Sequence, residues 1–212
     1  MTRRIPLHVY HRRLGTPAHR GNSFRAIRKA LAHGYTGIDI DVTMTEDGFL
    51  IANHWQKLMR FDGFYDPSGR LDRNRKVKDL TWGQVSRLRT HDREPGDEPY
   101  RVHKLARMFE YAKDEQKRQS SRITLCLEIK PGDARLFGPT VYELIAHMAD
   151  WPAWCGVDTI VMAQGRGDLW RVFKPASEAG LTTMVQWRGK QPPAHVAEYV
   201  KLAKYGRWVR TR

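Results

Sequence analysis

Residues 36–42 alternate β-branched side chains with small or acidic ones, a pattern typical of a buried β-strand. Successive side chains of a strand point to opposite faces, so Asp39 and Asp41 share one face while Ile38 and Ile40 share the other. Two carboxylates that are neighbours on one face of a buried strand repel each other and lose hydration. The pattern therefore predicts that a metal ion or a basic side chain lies between Asp39 and Asp41.

Strand patterns alternate with helix patterns along the chain. Strands are predicted at residues 5–11, 36–42, 49–54, 123–130, 157–164 and 181–187. Helices are predicted between most of them, and Asn22 or Ser23 is suited to cap the first helix. This alternation favours a doubly wound sheet or a (β/α)8 barrel. Because the ionisable side chains gather at the carboxyl ends of the strands, the barrel is the better prediction.

We expect one domain, residues 1–212, with an α/β fold of the (β/α)8 TIM-barrel type. A length of 212 residues is near the lower limit of roughly 200 for this fold, and the last strand pattern, at residues 208–210, is weak. The barrel is therefore expected to be shortened or incomplete in its C-terminal third. An open strand edge invites pairing with another chain, so a homodimer that covers the gap is also open.

The formal net charge of +14 indicates an anionic partner. Charge alone leaves nucleic acid, an acidic membrane surface and a phosphorylated small molecule open. The two cysteines, Cys126 and Cys155, have no metal-ligand spacing. No apolar run approaches the roughly 20 residues of a membrane helix, and the apolar run near the N-terminus is too short for a signal peptide. We therefore expect a soluble, cytoplasmic protein.

Ionisable side chains close four of the predicted strands and should meet at one rim of the barrel. They are His11, Arg12, Asp39, Asp41, His54, Glu128 and Lys130. Three carboxylates are hard oxygen ligands of the kind that Mg²⁺ or Ca²⁺ prefers. Two histidines can serve as general acid and base, and two cations can hold a phosphate group. Together these groups are suited to attack on a phosphodiester.

Five short motifs occur in an order that resembles the glycerophosphodiester phosphodiesterase family, a barrel family. They are His11 with Arg12, Asn22 with Ser23, Asp39 with Asp41, His54 with Leu58 and Arg60, and Glu128 with Ile129 and Lys130. The resemblance covers roughly residues 5–135. The literal His-Arg-Gly string of the first motif lies at residues 19–21. We nevertheless assign the motif to His11, which ends a predicted strand. The spacing between His11 and Asn22 also matches the spacing between the corresponding His and Asn of family members, and that of His19 does not.

The resemblance implies that Asp39, Asp41 and Glu128 bind Mg²⁺ or Ca²⁺ and that His11 and His54 are catalytic. It also implies that Arg12 and Lys130 contact the substrate phosphate. Trp187 falls near the predicted rim, where its ring is suited to line a substrate pocket. Three positions depart from the family pattern, since Gly21 and Asp39 replace glutamates and Trp55 replaces an aspartate. Each departure leaves room for altered metal geometry or another substrate.

The expected activity is metal-dependent hydrolysis of a glycerophosphodiester to glycerol phosphate and an alcohol. A nucleic acid or a lysophospholipid remains open as an alternative substrate. A non-catalytic barrel that binds an anionic partner is a further alternative, because Gly21 and the weak C-terminal third depart from the family. Independently of these alternatives, the Asp39 and Asp41 pair could be salt-bridged by Lys130 without any metal.

Overall fold

The computed structural model describes residues 9–10, 22–90, 100–150, 156–164, 175–176 and 178–186. Its elements are β1 (Val9–Tyr10), α1 (Phe24–Ala32), β2 (Gly37–Met44), β3 (Leu50–Ala52), α2 (Leu58–Phe61), β4 (Phe64–Tyr65), a 3₁₀ turn (Val77–Asp79), α3 (Trp82–Val85), β5 (Arg89–Thr90), β6 (His103–Lys104), α4 (Leu105–Gln119), β7 (Thr124–Ile129), α5 (Pro131–Asp150), β8 (Asp158–Gln164) and β9 (Thr182–Gln186). The helix predicted at residues 194–203 and the strand predicted at residues 208–210 lie outside the described residues.

The main sheet has the strand order β6-β3-β2-β7-β8-β9, and β1 also pairs with β2. Strands β1, β2, β7, β8 and β9 are mutually parallel. Helix α1 connects β1 to β2, α4 precedes β7, and α5 connects β7 to β8. These features confirm the predicted α/β class. Within the described ranges the sheet is open and does not close into a barrel.

Strand β3 differs from the third barrel strand that the sequence predicts. It is an antiparallel partner of β2, with Val42 opposite Ala52 and Met44 opposite Leu50. The connection explains the difference, because a parallel crossover needs a dozen or more residues. Here a tight turn joins the two strands, in which Thr45 Oγ1 accepts a hydrogen bond from the Phe49 N–H at 2.9 Å. His54 consequently lies in the loop after β3 and not on a strand.

The two faces of β2 and β7 separate the core from the site. Residues Ile38, Ile40 and Val42 of β2 are buried in the main core with Leu125, Leu127 and Ile129 of β7. On the other face, Asp41 lies opposite Glu128 and Asp39 lies opposite Cys126 in the strand register. The alternation that the sequence predicts for both strands is therefore confirmed, and it brings the carboxylates together.

A second apolar cluster supports the excursion between β3 and α4. Its buried members are Ile51, Leu58, Met59, Phe64, Val77, Leu80, Val85, Leu88 and Val102. Helix α3 begins with a capping box, since Thr81 Oγ1 accepts from the Gln84 N–H and the Gln84 side chain accepts from the Thr81 N–H. This packing fixes α2 and the loop before it, which carries His54.

Candidate active site

A lysine lies between the carboxylates at the carboxyl ends of β2 and β7. Lys130 Nζ is 2.6 Å from Asp41 Oδ1 and 2.8 Å from Glu128 Oε1. The carboxylate side chains are 8% and 2% exposed, and the Lys130 side chain is 22% exposed. A buried ion pair of this kind is strongly oriented, because neither carboxylate can turn to water instead. The sequence predicts a cation between Asp39 and Asp41, and the ion pairs of Lys130 are instead with Asp41 and with Glu128 of the neighbouring strand.

Asp39 adds a third carboxylate to this group. Desolvation and the neighbouring charges of Asp41 and Glu128 raise the pKa of Asp39 well above its ordinary value, and Lys130 only partly offsets them. The balance of these contributions favours the protonated form of Asp39 in the folded protein.

Asn22 holds Asp41 from the other side. The Asn22 side-chain amide donates to Asp41 Oδ2 at 2.9 Å, and its Oδ1 accepts the Asp41 N–H at 2.8 Å. Asn22 has a φ of 62°, a left-handed conformation that asparagine tolerates better than most residues. The next residue, Ser23, caps α1 by accepting the Ala26 N–H at 3.1 Å. The sequence predicted a cap here but not the contact between Asn22 and Asp41.

The pKa of Asp41 reflects all of these contacts. Burial opposes its ionisation, but the charges of Lys130 and His54 and the hydrogen bonds from Lys130 and Asn22 lower the pKa below its ordinary value. Asp41 is therefore an anion with fixed orientation. His54 must lie close enough to interact with it.

The structure places His54 beside Asp41 through the backbone of the preceding residue. The Asn53 N–H donates to the Asp41 carbonyl at 2.9 Å and thereby extends the pairing of β3 with β2. His54 is half-buried, and its ring meets the Trp55 ring edge-on at 4.3 Å between centroids. The structure thus brings five of the predicted residues to one side of the sheet, namely Asp39, Asp41, His54, Glu128 and Lys130. His11, Arg12 and Trp187 lie outside the described residues.

Gln56 forms a junction that the sequence did not reveal. Its Nε2 donates to Thr43 Oγ1 of β2 and to Asp133 Oδ1 of α5, each at 2.5 Å. Its Oε1 accepts the Lys78 N–H at 3.3 Å, and its carbonyl accepts the Val77 N–H at 2.7 Å. Because Gln56 is two residues after His54, these bonds hold the His54 loop against β2 and the start of α5.

Asp133 is the acidic member of this junction and is 5% exposed. Burial raises its pKa, while hydrogen bonds from Gln56 and Thr43 and the charge of Lys130 work in the other direction. The sequence offers one signal for it, an acidic residue in the first turn of a helix that follows directly on Lys130. Nothing in the sequence indicates its bond to Gln56.

The chain matches the model of one protein family. The model of the glycerophosphoryl diester phosphodiesterase family matches residues 11–130. The chain belongs to this family. The match confirms the resemblance predicted from the motifs and the predicted enzyme class, a glycerophosphodiester phosphodiesterase-like phosphoric diester hydrolase. No curated protein matches the chain.

Solved structures of this class share the fold. A Silicibacter pomeroyi DSS-3 protein assigned as a glycerophosphoryl diester phosphodiesterase superposes with a TM-score of 0.62 at 17% identity, over 86% of this chain and 67% of that one. A glycerophosphodiester phosphodiesterase from Parabacteroides distasonis ATCC 8503 gives 0.56 at 19% identity, over 92% and 78%. The corresponding domain of a Mycobacterium tuberculosis protein gives 0.55 at 18% identity, over 95% and 66%. The fold is therefore the TIM-barrel-like α/β fold of the glycerophosphoryl diester phosphodiesterases.

The carboxylates fit the divalent cation that the family resemblance implies by their chemistry. Asp39, Asp41 and Glu128 supply hard oxygen atoms on one face of β2 and β7. In the described part of the chain, however, no three His, Cys, Asp or Glu side chains are already grouped around one point as metal ligands. A cation bound here would have to share Asp41 and Glu128 with Lys130.

No helix among the described residues is long and apolar enough to cross a membrane.

Proposed function

We propose that this protein hydrolyses glycerophosphodiesters to glycerol phosphate and an alcohol with the help of Mg²⁺ or Ca²⁺. The observation that carries the proposal is the grouping of Lys130, Asp41 and Glu128 at the ends of β2 and β7, with His54 acting on Asp41. Asp39, Asp41 and Glu128 would hold the cation. When bound, the cation would neutralise the phosphate charge and polarise its oxygen atoms.

The residues of the chain have separate tasks in this proposal. His54 moves a proton to or from the reacting oxygen, and the adjacent Asp41 anion stabilises its protonated form. Lys130 keeps a charged ammonium group, because Asp41 and Glu128 raise its pKa more than burial lowers it. That ammonium group can bind a phosphate oxygen. His11 and Arg12 are proposed as the second catalytic group and a second phosphate contact, with Trp187 lining the substrate pocket.

A substrate panel tests the proposal. Hydrolysis of glycerophosphocholine, glycerophosphoethanolamine and an aryl phosphodiester should occur with Mg²⁺ or Ca²⁺ and stop with excess chelator. His54→Gln should lower turnover by about two to four orders of magnitude, as expected for loss of general acid–base catalysis. His11→Ala should do the same, whereas His19→Ala should leave turnover close to wild type. Absence of hydrolysis on every diester would refute the proposed activity.

Nucleic acid is a second candidate substrate, and the net charge of +14 favours it. Contacts with a polyanion release counterions, so binding of single-stranded DNA should weaken steeply with salt. Turnover of a small diester should change much less. Cleavage of DNA with a steep salt dependence would favour nucleic acid as the substrate.

The cytoplasmic location and the homodimer stay predictions.

A further inference from the structure

An aromatic surface leads away from His54. The Trp55 ring meets His54 edge-on at 4.3 Å, and the Phe61 ring lies 5.3 Å from Trp55 between centroids, tilted by 42°. Trp55 is 39% exposed and Phe61 is 52% exposed, so the surface runs from a half-buried histidine out to solvent. We call Trp55 and Phe61 together the aromatic pair.

The aromatic pair is held in place by the chain around it. The Asn53 side-chain amide donates to the Trp55 carbonyl at 2.6 Å. Phe61 ends α2, whose Leu58 and Met59 are buried in the second apolar cluster. Two large apolar rings are thus kept in water by a fixed backbone. Such exposure beside a reaction centre is typical of a surface that binds an apolar group.

The charge beside Phe61 limits what can bind there. The Arg60 guanidinium group is 5.2 Å from the centre of the Phe61 ring, and Arg60 Nη1 donates to Asn74 Oδ1 at 3.3 Å. A quaternary ammonium group that approached this ring would meet a positive charge already near it. An uncharged hydrocarbon chain has no such conflict. The sequence also departs from the family at Trp55, where the resemblance predicts an aspartate.

We propose that the aromatic pair is a subsite for the apolar chain of an amphiphilic phosphodiester such as a lysophospholipid. The subsite is continuous with His54, so a phosphate group at the site would place one substituent along Trp55 towards Phe61. This inference rests on the proposed function, because the phosphate must bind beside His54. It makes amphiphilic diesters better substrates than the water-soluble glycerophosphodiesters.

A series of lysophosphatidylcholines with increasing acyl length tests the subsite. Each compound is kept below its micelle concentration and compared with glycerophosphocholine. Each added methylene that contacts the rings should raise kcat/KM by roughly two- to fourfold. Phe61→Ala and Trp55→Ala should reduce the preference for the longest chain over glycerophosphocholine by on the order of tenfold. Trp55→Phe should restore most of the preference.

Phe49→Ala is the matched control. Phe49 is 40% exposed and directly precedes β3, and its ring lies beside Lys104 and Trp82. This variant should keep the wild-type chain-length series. Circular dichroism of all variants establishes that they fold. A flat series in the wild-type protein, or equal losses in Phe49→Ala and Phe61→Ala, would overturn the subsite.

Binding of decylphosphocholine by titration calorimetry, with excess chelator to prevent turnover, separates the subsite from the catalytic proposal. If the wild-type protein binds it and Phe61→Ala does not, the subsite stands even where no diester is hydrolysed. Sedimentation with anionic phospholipid vesicles tests whether the aromatic pair instead binds a membrane surface. If the substitutions reduce vesicle binding but leave the monomeric series unchanged, the aromatic pair is a membrane-docking surface and the subsite is wrong.

Discussion

Replacing Lys130 with methionine tests whether the site depends on this cation for its stability. Methionine keeps an apolar stem of similar length but removes the ammonium group. Asp41 and Glu128 would then be two buried anions without the partner that now lies 2.6 Å and 2.8 Å from them. Asp39, whose pKa these neighbours already raise, would also lose the charge of Lys130, which lowers that pKa.

The expected loss is large because the carboxylates cannot reach water. Removing one partner of a buried ion pair costs roughly 3–5 kcal/mol of unfolding free energy. For a chain of 212 residues, each kcal/mol corresponds to about 2–4 °C in Tm, so Tm should fall by roughly 6–20 °C. Arg107→Met is the matched control. It removes an ion pair with Glu110 on the surface of α4, where the side chains are 65% and 39% exposed. That pair is expected to contribute less than about 1 kcal/mol.

Thermal unfolding followed by circular dichroism, at pH values from about 7 down to about 4, is the assay. In the wild-type protein the lowered pKa of Asp41 contributes stability above its unfolded value near 3.8, and this stability is lost as pH falls towards the folded pKa. In Lys130→Met the carboxylates bind protons more tightly when folded, so acid relieves their repulsion. The gap between the two proteins should therefore narrow as pH falls. A gap that is constant with pH, or no larger than that of Arg107→Met, would refute the assigned charge balance.

Two further predictions concern residues away from the carboxylates. Gln56→Ala should destabilise the protein by about 1–3 kcal/mol, because buried Asp133 loses a hydrogen bond. It should also lower kcat, because the loop that carries His54 is held less firmly. An unchanged kcat and an unchanged urea midpoint would contradict this. Burial, together with Arg107 and Arg101, lowers the pKa of His103 to about 4 from 6.5. Between these values the unfolded chain binds a proton at His103 and the folded protein does not, so the stability that is present above pH 6.5 is lost as pH falls towards 4. His103→Phe should remove about 2 kcal/mol of the decline between pH 6.5 and pH 5, measured by urea unfolding, and an unaltered pH profile would exclude this histidine as its cause.

The sequence predicts β2 and β7 well because their signal is local. Alternating apolar and polar side chains fix both the strand and the face to which each residue belongs, and the register then follows from parallel pairing. The direction of β3 has no such signal in its own residues. It depends on the length of the preceding connection, which is too short for a parallel crossover. The short strands β4, β5 and β6 have two residues each, which is too few for any period.

The site was predictable in its charges but not in its hydrogen bonds. Carboxylates at strand ends can be recognised in the sequence, because burial of a charge requires a compensating group. The amides of Asn22 and Gln56 carry no charge and bind partners 19 and 77 residues away. Only folding brings these partners together. The same limit applies to Lys130, whose sequence position indicates the rim but not which carboxylates it bridges.

The charge of the site is uneven along β2, and this decides the expected behaviour of Asp39. At one end, Lys130 contacts Asp41 and Glu128 directly. At the other, the register partner of Asp39 is Cys126, whose thiol stays neutral because burial and the nearby Asp39 raise its pKa. Because the pKa of Asp39 is raised and that of Asp41 is lowered, an added cation should act mainly on Asp39.

Asp39→Asn tests this difference without any measurement of activity. Because the pKa of Asp39 is raised in the folded protein, its ionisation lowers stability as pH rises from the unfolded value near 3.8 to the folded pKa. Asparagine cannot ionise, so the variant should be more stable than the wild-type protein at neutral pH without a divalent cation, and the gain should vanish in acid. Mg²⁺ or Ca²⁺ should raise the wild-type Tm and have little effect on the variant. If the variant gains as much from the cation as the wild-type protein does, Asp39 is not one of its ligands.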